Sequence, residues 1–178
     1  MENKKILMDW VVPILVAIVL ATLIKTFLFY QINIPSTSMY PTIKVGDRIL
    51  VTRVYNRSKL KRGDIVVFYS QELHEMLIKR LVGLPGDTVE VKDGGKVYVN
   101  GKLSNEPYVV NKDNLQKDFK VPADSYLFFG DNRPVSDDSR RWNNPYINSK
   151  DIKGKAHFVL YPFKRFGKFV VGESALSH

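Results

Sequence analysis

The chain has 178 residues, room for one modest domain or for a domain carrying a membrane anchor. It contains no cysteine, which excludes disulfides, thiolate nucleophiles and zinc sites built on Cys. The formal net charge of +9 is spread thinly, with three lysines against two acids in residues 1–30, 24 basic against 16 acidic residues beyond them, and no long polybasic run. A basic face meeting anionic lipid headgroups explains that distribution about as well as nucleic acid does, and the features that follow set nucleic acid aside as a partner.

The first element is apolar. No charge falls between Trp10 and Ile24, and the apolar character resumes after Lys25 through Phe27, Leu28, Phe29 and Tyr30. Trp10–Tyr30 spans 21 residues, the length a helix needs to cross the hydrocarbon core. Trp10 and Tyr30 suit the two interfaces, and Lys25 can snorkel to one of them. A cleaved secretory signal would have a shorter apolar run followed by small residues. Here Phe27–Tyr30 is bulky and Gln31-Ile32-Asn33-Ile34-Pro35 offers no such site. A buried core helix is the other alternative. The sequence predicts an uncleaved anchor over residues 10–30 behind a short tail, 1–9. Lys4 and Lys5 precede the anchor and more positive charges follow it, but long domains are translocated largely regardless of charge, so the residues alone leave the orientation open.

After Tyr30 the hydrophobic period shortens to that of strands. Asp47–Thr52, Asp64–Tyr69 and Leu77–Val82 are short, β-branched and bounded by turn signals. Val89–Val91 and Val97–Val99 flank Asp93-Gly94-Gly95 as a hairpin, and Ser125–Phe129 and Ala156–Tyr161 complete the set. No amphipathic helix longer than about three turns is evident beyond residue 31. The expectation is one all-β domain over 31–178, with a small excursion within 92–120 and the polar stretch Ser104–Asp118 as a loop or part of that excursion.

Three segments can carry chemistry. His74, His157 and His178 match no metal-ligand spacing and no nucleophile elbow, so a Ser-His-Asp hydrolase lacks its base. The first segment, Ile34-Pro35-Ser36-Thr37-Ser38-Met39-Tyr40-Pro41-Thr42, displays hydroxyls on a backbone stiffened by two prolines; its plain alternative is a linker. In the second, Lys79 shares a strand face with Leu77 and Leu81, where desolvation disfavours the ammonium, and a neutral amine can take a proton from a serine. The alternative is a strand-edge lysine whose tip reaches water. Arg80, on the opposite face, reads as solvent-facing or ion-paired. The third, Gly130-Asp131-Asn132-Arg133-Pro134-Val135-Ser136-Asp137-Asp138-Ser139-Arg140, is a dense polar loop whose carboxylates and guanidinia can form fixed pairs. It does not match a calcium loop, and its arginines would repel a cation. An ordinary turn cluster is the alternative.

Together these segments resemble the type I signal peptidases. That family's serine box S-x-S-M-x-P-T is met by Ser36–Thr42, its G-D-I-V-V-F-like box by Gly63–Phe68, its lysine box K-R-x-x-G-x-P-G-D by Lys79–Asp87, and its last box G-D-N-R-x-x-S-x-D-S-R by Gly130–Arg140. The departures are Thr37, where Gly or Glu is common, and Trp142-Asn143-Asn144, where a glycine often follows. The resemblance implies Ser38 as acylating nucleophile, Lys79 as general base, and Ser36 as an oxyanion donor with the Ser38 N–H. It implies Ser136 as the group orienting Lys79, Asp138 and Arg140 as a supporting pair, and Ile34, Met39 and Ile78 as walls of the pockets that admit an Ala-x-Ala motif. It further implies secreted precursors as substrates, membrane lipid as a neighbour, no cofactor or metal, one working chain, and a catalytic domain outside a single-pass anchor in the plasma membrane. The aromatic and basic tract Tyr161–Phe169 suits such an interface, with a buried strand as its alternative. Two rivals carry different expectations. A self-cleaving repressor-type Ser/Lys peptidase would need a DNA-binding N-terminus where this chain is apolar. A membrane-tethered β-barrel binding module would need no catalysis.

Overall fold

The structure is a computed structural model describing residues 7–171; His178 and the tail lysines Lys4 and Lys5 lie outside the described residues. It opens with a π-helical turn, Leu7–Val11, that runs into α1, Val12–Phe27, with Pro13 in the first turn where its missing N–H costs nothing. Together Met8–Phe27 form a 20-residue helix of mean hydropathy 2.2, long and apolar enough to cross a membrane, with none of it buried against the rest of the protein. The helix is shorter than the span read from the sequence. It ends at Phe27, and Phe29 and Tyr30 belong to a strand, β1 (Phe29–Asn33), with Tyr30 opposite Val51. Apolarity alone cannot separate the last turn of such a helix from a half-buried strand; pairing with a partner strand decides it.

The remaining strands are β2 (Arg48–Arg53), β3 (Ile65–Ser70), β4 (Glu75–Gly83), β5 (Thr88–Lys92), β6 (Lys96–Val99), β7 (Lys102–Leu103), β8 (Lys117–Lys120), β9 (Ser125–Phe129), β10 (Tyr146–Asn148), β11 (Ile152–Tyr161) and β12 (Gly167–Lys168). They build two antiparallel sheets. An eight-stranded sheet runs β1-β2-β11-β3-β4-β9-β10 with β12 on β11, and a four-stranded sheet runs β7-β6-β5-β8. The β5–β6 hairpin pairs Val89 with Val99 and Val91 with Val97, its tip turned by Gly94 and Gly95 at positive φ. The excursion expected within 92–120 is thus most of a second sheet, and β8 begins inside the stretch read as loop.

The large sheet is buried on both faces at its centre, which is why β3 and β9 read as nearly continuous apolar runs. From β3, Ile65 and Val67 join a cluster with Ile34, Met39, Ile43 and Ile49, while Val66 and Phe68 join Leu81, Phe128 and Trp142. Phe68 and Phe128 stack with centroids 4.4 Å apart. Leu127 and Phe129 face a third cluster formed with Val82, Val91 and Phe119, which seats the small sheet against the large one. The loop carrying Ser38 lies over the first cluster, and β4 passes between all three.

Candidate active site

The serine loop joins β1 to β2 and is pinned at its base, where Ile34 N–H donates to Asp47 O at 3.0 Å and Gly46 N–H to Ile34 O at 2.9 Å. Met39 and Ile43, 1% and 0% exposed, drive its middle into the core, and this leaves Ser36 exposed while Ser38 is 8% exposed. The two hydroxyl oxygens lie 3.3 Å apart.

Lys79 stands on β4 opposite Val66 of β3, on the face that carries Leu77 and Leu81, as the alternation of the sequence requires. It is 3% exposed, so nearly all of its side chain is withdrawn from water. Burial lowers its pKa from the ordinary lysine value; Asp138, then Asp137 and Glu75, pull in the opposite direction, and Arg140 adds to the depression. None of these carboxylates forms an ion pair with Lys79 among the described residues. Arg80 points the other way, to a buried ion pair with Asp131 at 2.6 Å.

The loop after β9 ties these pieces together. The Asp131 carboxylate accepts from Arg80 Nε at 2.8 Å and from Thr42 Oγ1 at 2.6 Å, so one side chain joins β4 to the serine loop. Asn132 donates its backbone N–H to Ser38 O at 3.0 Å and its side-chain amide to Thr37 O at 3.2 Å. Gly130 is confined between the two segments. A Cβ there would lie 2.1 Å from Ser136 Oγ and 2.5 Å from Ser38 O. The absent side chain is what lets the Ser136 hydroxyl sit close to the Ser38 backbone. That hydroxyl is fully buried and has no hydrogen-bond partner among the described residues. Asp138 accepts from Gly130 N–H at 2.8 Å and from Arg140 Nε at 2.9 Å, and Arg140 holds its charge against burial through Asp138 and Asp113.

Beside the serine loop lies an apolar cleft of about 440 Å³, walled by Tyr30, Ile32 and Ile34 on one side and Met76, Leu77 and Ile78 on the other. Both walls are strands with an unused edge. Among the described residues β1 pairs with β2 alone, and β4 pairs with β9 only from Arg80 onward. Ile34 and Ile78 thus line the cleft, whereas Met39 packs beneath the loop in the core.

Further residues, given no role from the sequence, hold this arrangement from outside. Glu106 pairs with Arg133 at 2.8 Å and Asp113 with Arg140 at 2.7 Å, both from the stretch read as a loop, and Tyr108 lies under the Arg80 guanidinium at 3.8 Å. Asp131 and Asn132 did carry a signal, because they open the polar loop. Glu106 and Asp113 carried none, since their partners lie 27 residues away. Neither described histidine is bonded to a residue of the site: His74 is an exposed turn residue, and His157 is half-buried against Thr52 at 2.8 Å. No group of residues suited to a metal ion occurs among the described residues.

The profile of the family described as signal peptidase, peptidase S26, matches residues 7–161. The chain belongs to the signal peptidase family. It is 40% identical over 179 residues to a signal peptidase I of Bacillus licheniformis, covering 94% of this chain and 95% of that one. It is 39% identical to signal peptidase I S of Bacillus subtilis strain 168 and 41% identical to a signal peptidase I of Leptolyngbya laminosa, over 94% and 91% of this chain and 96% and 83% of theirs. A crystal structure of a signal peptidase I from Enterococcus faecalis matches at 35% identity, covering 55% of this chain and 96% of that one, with a TM-score of 0.47. As a member of this family the protein is a hydrolase, a serine endopeptidase, carrying an N-terminal helix fit to span a membrane.

Proposed function

We propose that the protein removes N-terminal signal peptides from secreted precursors, cleaving after an Ala-x-Ala-like motif through an acyl-enzyme formed on Ser38 with Lys79 as base. The observation that carries this reading is Lys79: a lysine 3% exposed, its charge disfavoured by burial, on the strand whose next residue is bolted to the serine loop through Asp131. Of the described histidines, His74 is an exposed turn residue and His157 is bonded to Thr52, which favours a neutral lysine amine as the base.

The precursor enters as an extended strand, filling the cleft between the free edges of β1 and β4 with backbone hydrogen bonds on both sides. Alternate side chains then meet Ile34 and Ile78, which leave room for small residues. Neutral Lys79 takes the proton of Ser38 Oγ as that oxygen attacks the scissile carbonyl. The oxyanion is met by the Ser38 N–H and by the Ser36 hydroxyl, 3.3 Å from Ser38 Oγ before substrate arrives. Collapse breaks the C–N bond, and the leaving amine receives the proton from Lys79. A water molecule repeats the sequence on the ester, releasing the signal peptide and restoring Ser38. Ser136 directs the Lys79 amine from its buried position beside Gly130, and the Asp138–Arg140 pair keeps that loop in shape. Anchored once through Met8–Phe27, the domain works as a single chain on the outer face of the plasma membrane, against lipid.

Cleavage of a synthetic signal-peptide substrate tests the roles. Ser38→Ala abolishes it with the fold intact, and Ser36→Ala slows it by about 10²–10³, the worth of one oxyanion donor. An active Ser38→Ala beside a dead Ser36→Ala would reverse the two assignments.

A further inference from the structure

A single residue, Leu28, separates the apolar helix from the sheet, since α1 ends at Phe27 and β1 begins at Phe29. The last turn of any helix leaves carbonyls without intrahelical donors, and near hydrocarbon no water is available to satisfy them. Here the end of β2 supplies the donors. Arg53 Nε donates to Thr26 O at 3.1 Å, the Tyr55 hydroxyl to Phe27 O at 2.5 Å, and the Arg53 backbone N–H to Leu28 O at 3.0 Å. The Arg53 guanidinium also lies 5.2 Å from the centre of the Tyr30 ring. Core packing does not explain these contacts, because Tyr55 is 63% exposed and no residue of the helix is buried. The tie continues toward the site, because β1 pairs with β2 from Phe29–Thr52 to Asn33–Arg48 and leads directly into Ile34 and the serine loop.

We propose that Arg53 and Tyr55 clamp the end of the helix to the sheet, fixing the height of Ser38 above the bilayer, so that precursors are selected by the number of residues between their hydrophobic segment and the cleavage site. The inference rests on reading the helix as an anchor and Ser38 as the nucleophile. A precursor's hydrophobic segment is held in the same bilayer as α1, so its cleavage site reaches Ser38 only if the intervening chain has the right length. Each extended residue adds about 3.3 Å, and a spacer two residues too long or too short misplaces the scissile bond by about 7 Å, beyond what a fixed site tolerates. A hinged helix would let the domain tilt and would accept a broad range of spacers.

The test compares the full-length wild type, Tyr55→Phe, and a variant with Gly-Ser-Gly inserted between Phe27 and Leu28. All three are reconstituted in phosphatidylethanolamine/phosphatidylglycerol vesicles and given precursors whose spacer changes one residue at a time. In parallel, each is assayed in detergent on a short peptide containing only the cleavage site. The short peptide is cleaved by all three within about twofold, because the clamp lies away from the reacting groups. In vesicles the wild type prefers one spacer by about tenfold over those two residues longer or shorter; Tyr55→Phe weakens the preference severalfold and the insertion erases it. A flat spacer profile in an otherwise active wild type, or an unchanged profile in both variants, overturns the proposal. If Tyr55→Phe loses the short-peptide activity, the insertion variant decides. Failure of the wild type on the short peptide would instead overturn the Ser38 reading.

Discussion

Lys79 is a lysine placed where a lysine is costly. Its side chain shares a strand face with Leu77 and Leu81 and stands opposite Val66, so the protonated amine gives up hydration that no ion pair among the described residues returns. That much was legible in the sequence, because alternation along a strand puts residues i±2 on the same face. The destination of Arg80 was not, because Asp131 lies 51 residues further on and nothing local distinguishes solvent from a buried partner. The amine's surroundings make a signed prediction. Activity rises with pH as Lys79 passes through its depressed pKa and its neutral fraction grows. Glu75, at the exposed start of β4, pulls that pKa upward. Glu75→Gln removes one such pull, so the rising limb of the pH–rate profile moves to lower pH with the plateau rate retained. A limb that stays in place or moves upward would show that the titrating group is not the one beside Glu75.

At the scale of elements, the site depends on one loop being held against another. The loop after β9 touches the serine loop through Asn132, β4 through Asp131, and the 104–113 stretch through Arg133 and Arg140. Gly130 sits at the tightest point. Gly130→Ala forces a methyl group against Ser136 Oγ and Ser38 O, so the two segments must separate. The expected outcome is overpacking of about 1–3 kcal/mol in thermal or denaturant unfolding, together with loss of peptide cleavage far beyond what the unfolded fraction accounts for. Wild-type turnover by this variant would mean that the contact between the loops is not required for catalysis. The elements themselves were unevenly legible. The β5–β6 hairpin announces itself through alternating valines and a Gly-Gly tip, whereas β1 is hidden in an apolar run that also suits a helix. The short strands β7, β8, β10 and β12, two to four residues each, lack the length for any periodicity and exist through pairing with longer neighbours. The ion pairs that attach the 104–113 stretch are long-range, so that stretch looked like a loop with no purpose.

Among the described residues, two stretches carry several exposed apolar side chains close together. One is the helix Met8–Phe27 and the other the tract after β11, where Phe163 and Phe166 are 81% and 67% exposed among Lys164 and Lys168. The tract is not simply a buried strand: Arg165 is anchored to Asp47 at 2.7 Å and Phe169 packs on the core, which turns the other aromatics outward. Amphipathic aromatics flanked by lysines fit a domain resting on a headgroup layer. With the domain outside, protease added to intact protoplasts digests the chain beyond Asn33 and spares the N-terminal tail; protection until the membrane is opened would place the domain on the inner side. The central claim, that a neutral lysine activates Ser38, is tested most directly by the pH–rate profile of the wild type beside Lys79→Arg on one signal-peptide substrate. A guanidinium keeps its proton at any pH a protein tolerates. The wild type shows a rising alkaline limb and the arginine variant no turnover at any pH; substantial turnover by Lys79→Arg would mean that another group takes the Ser38 proton.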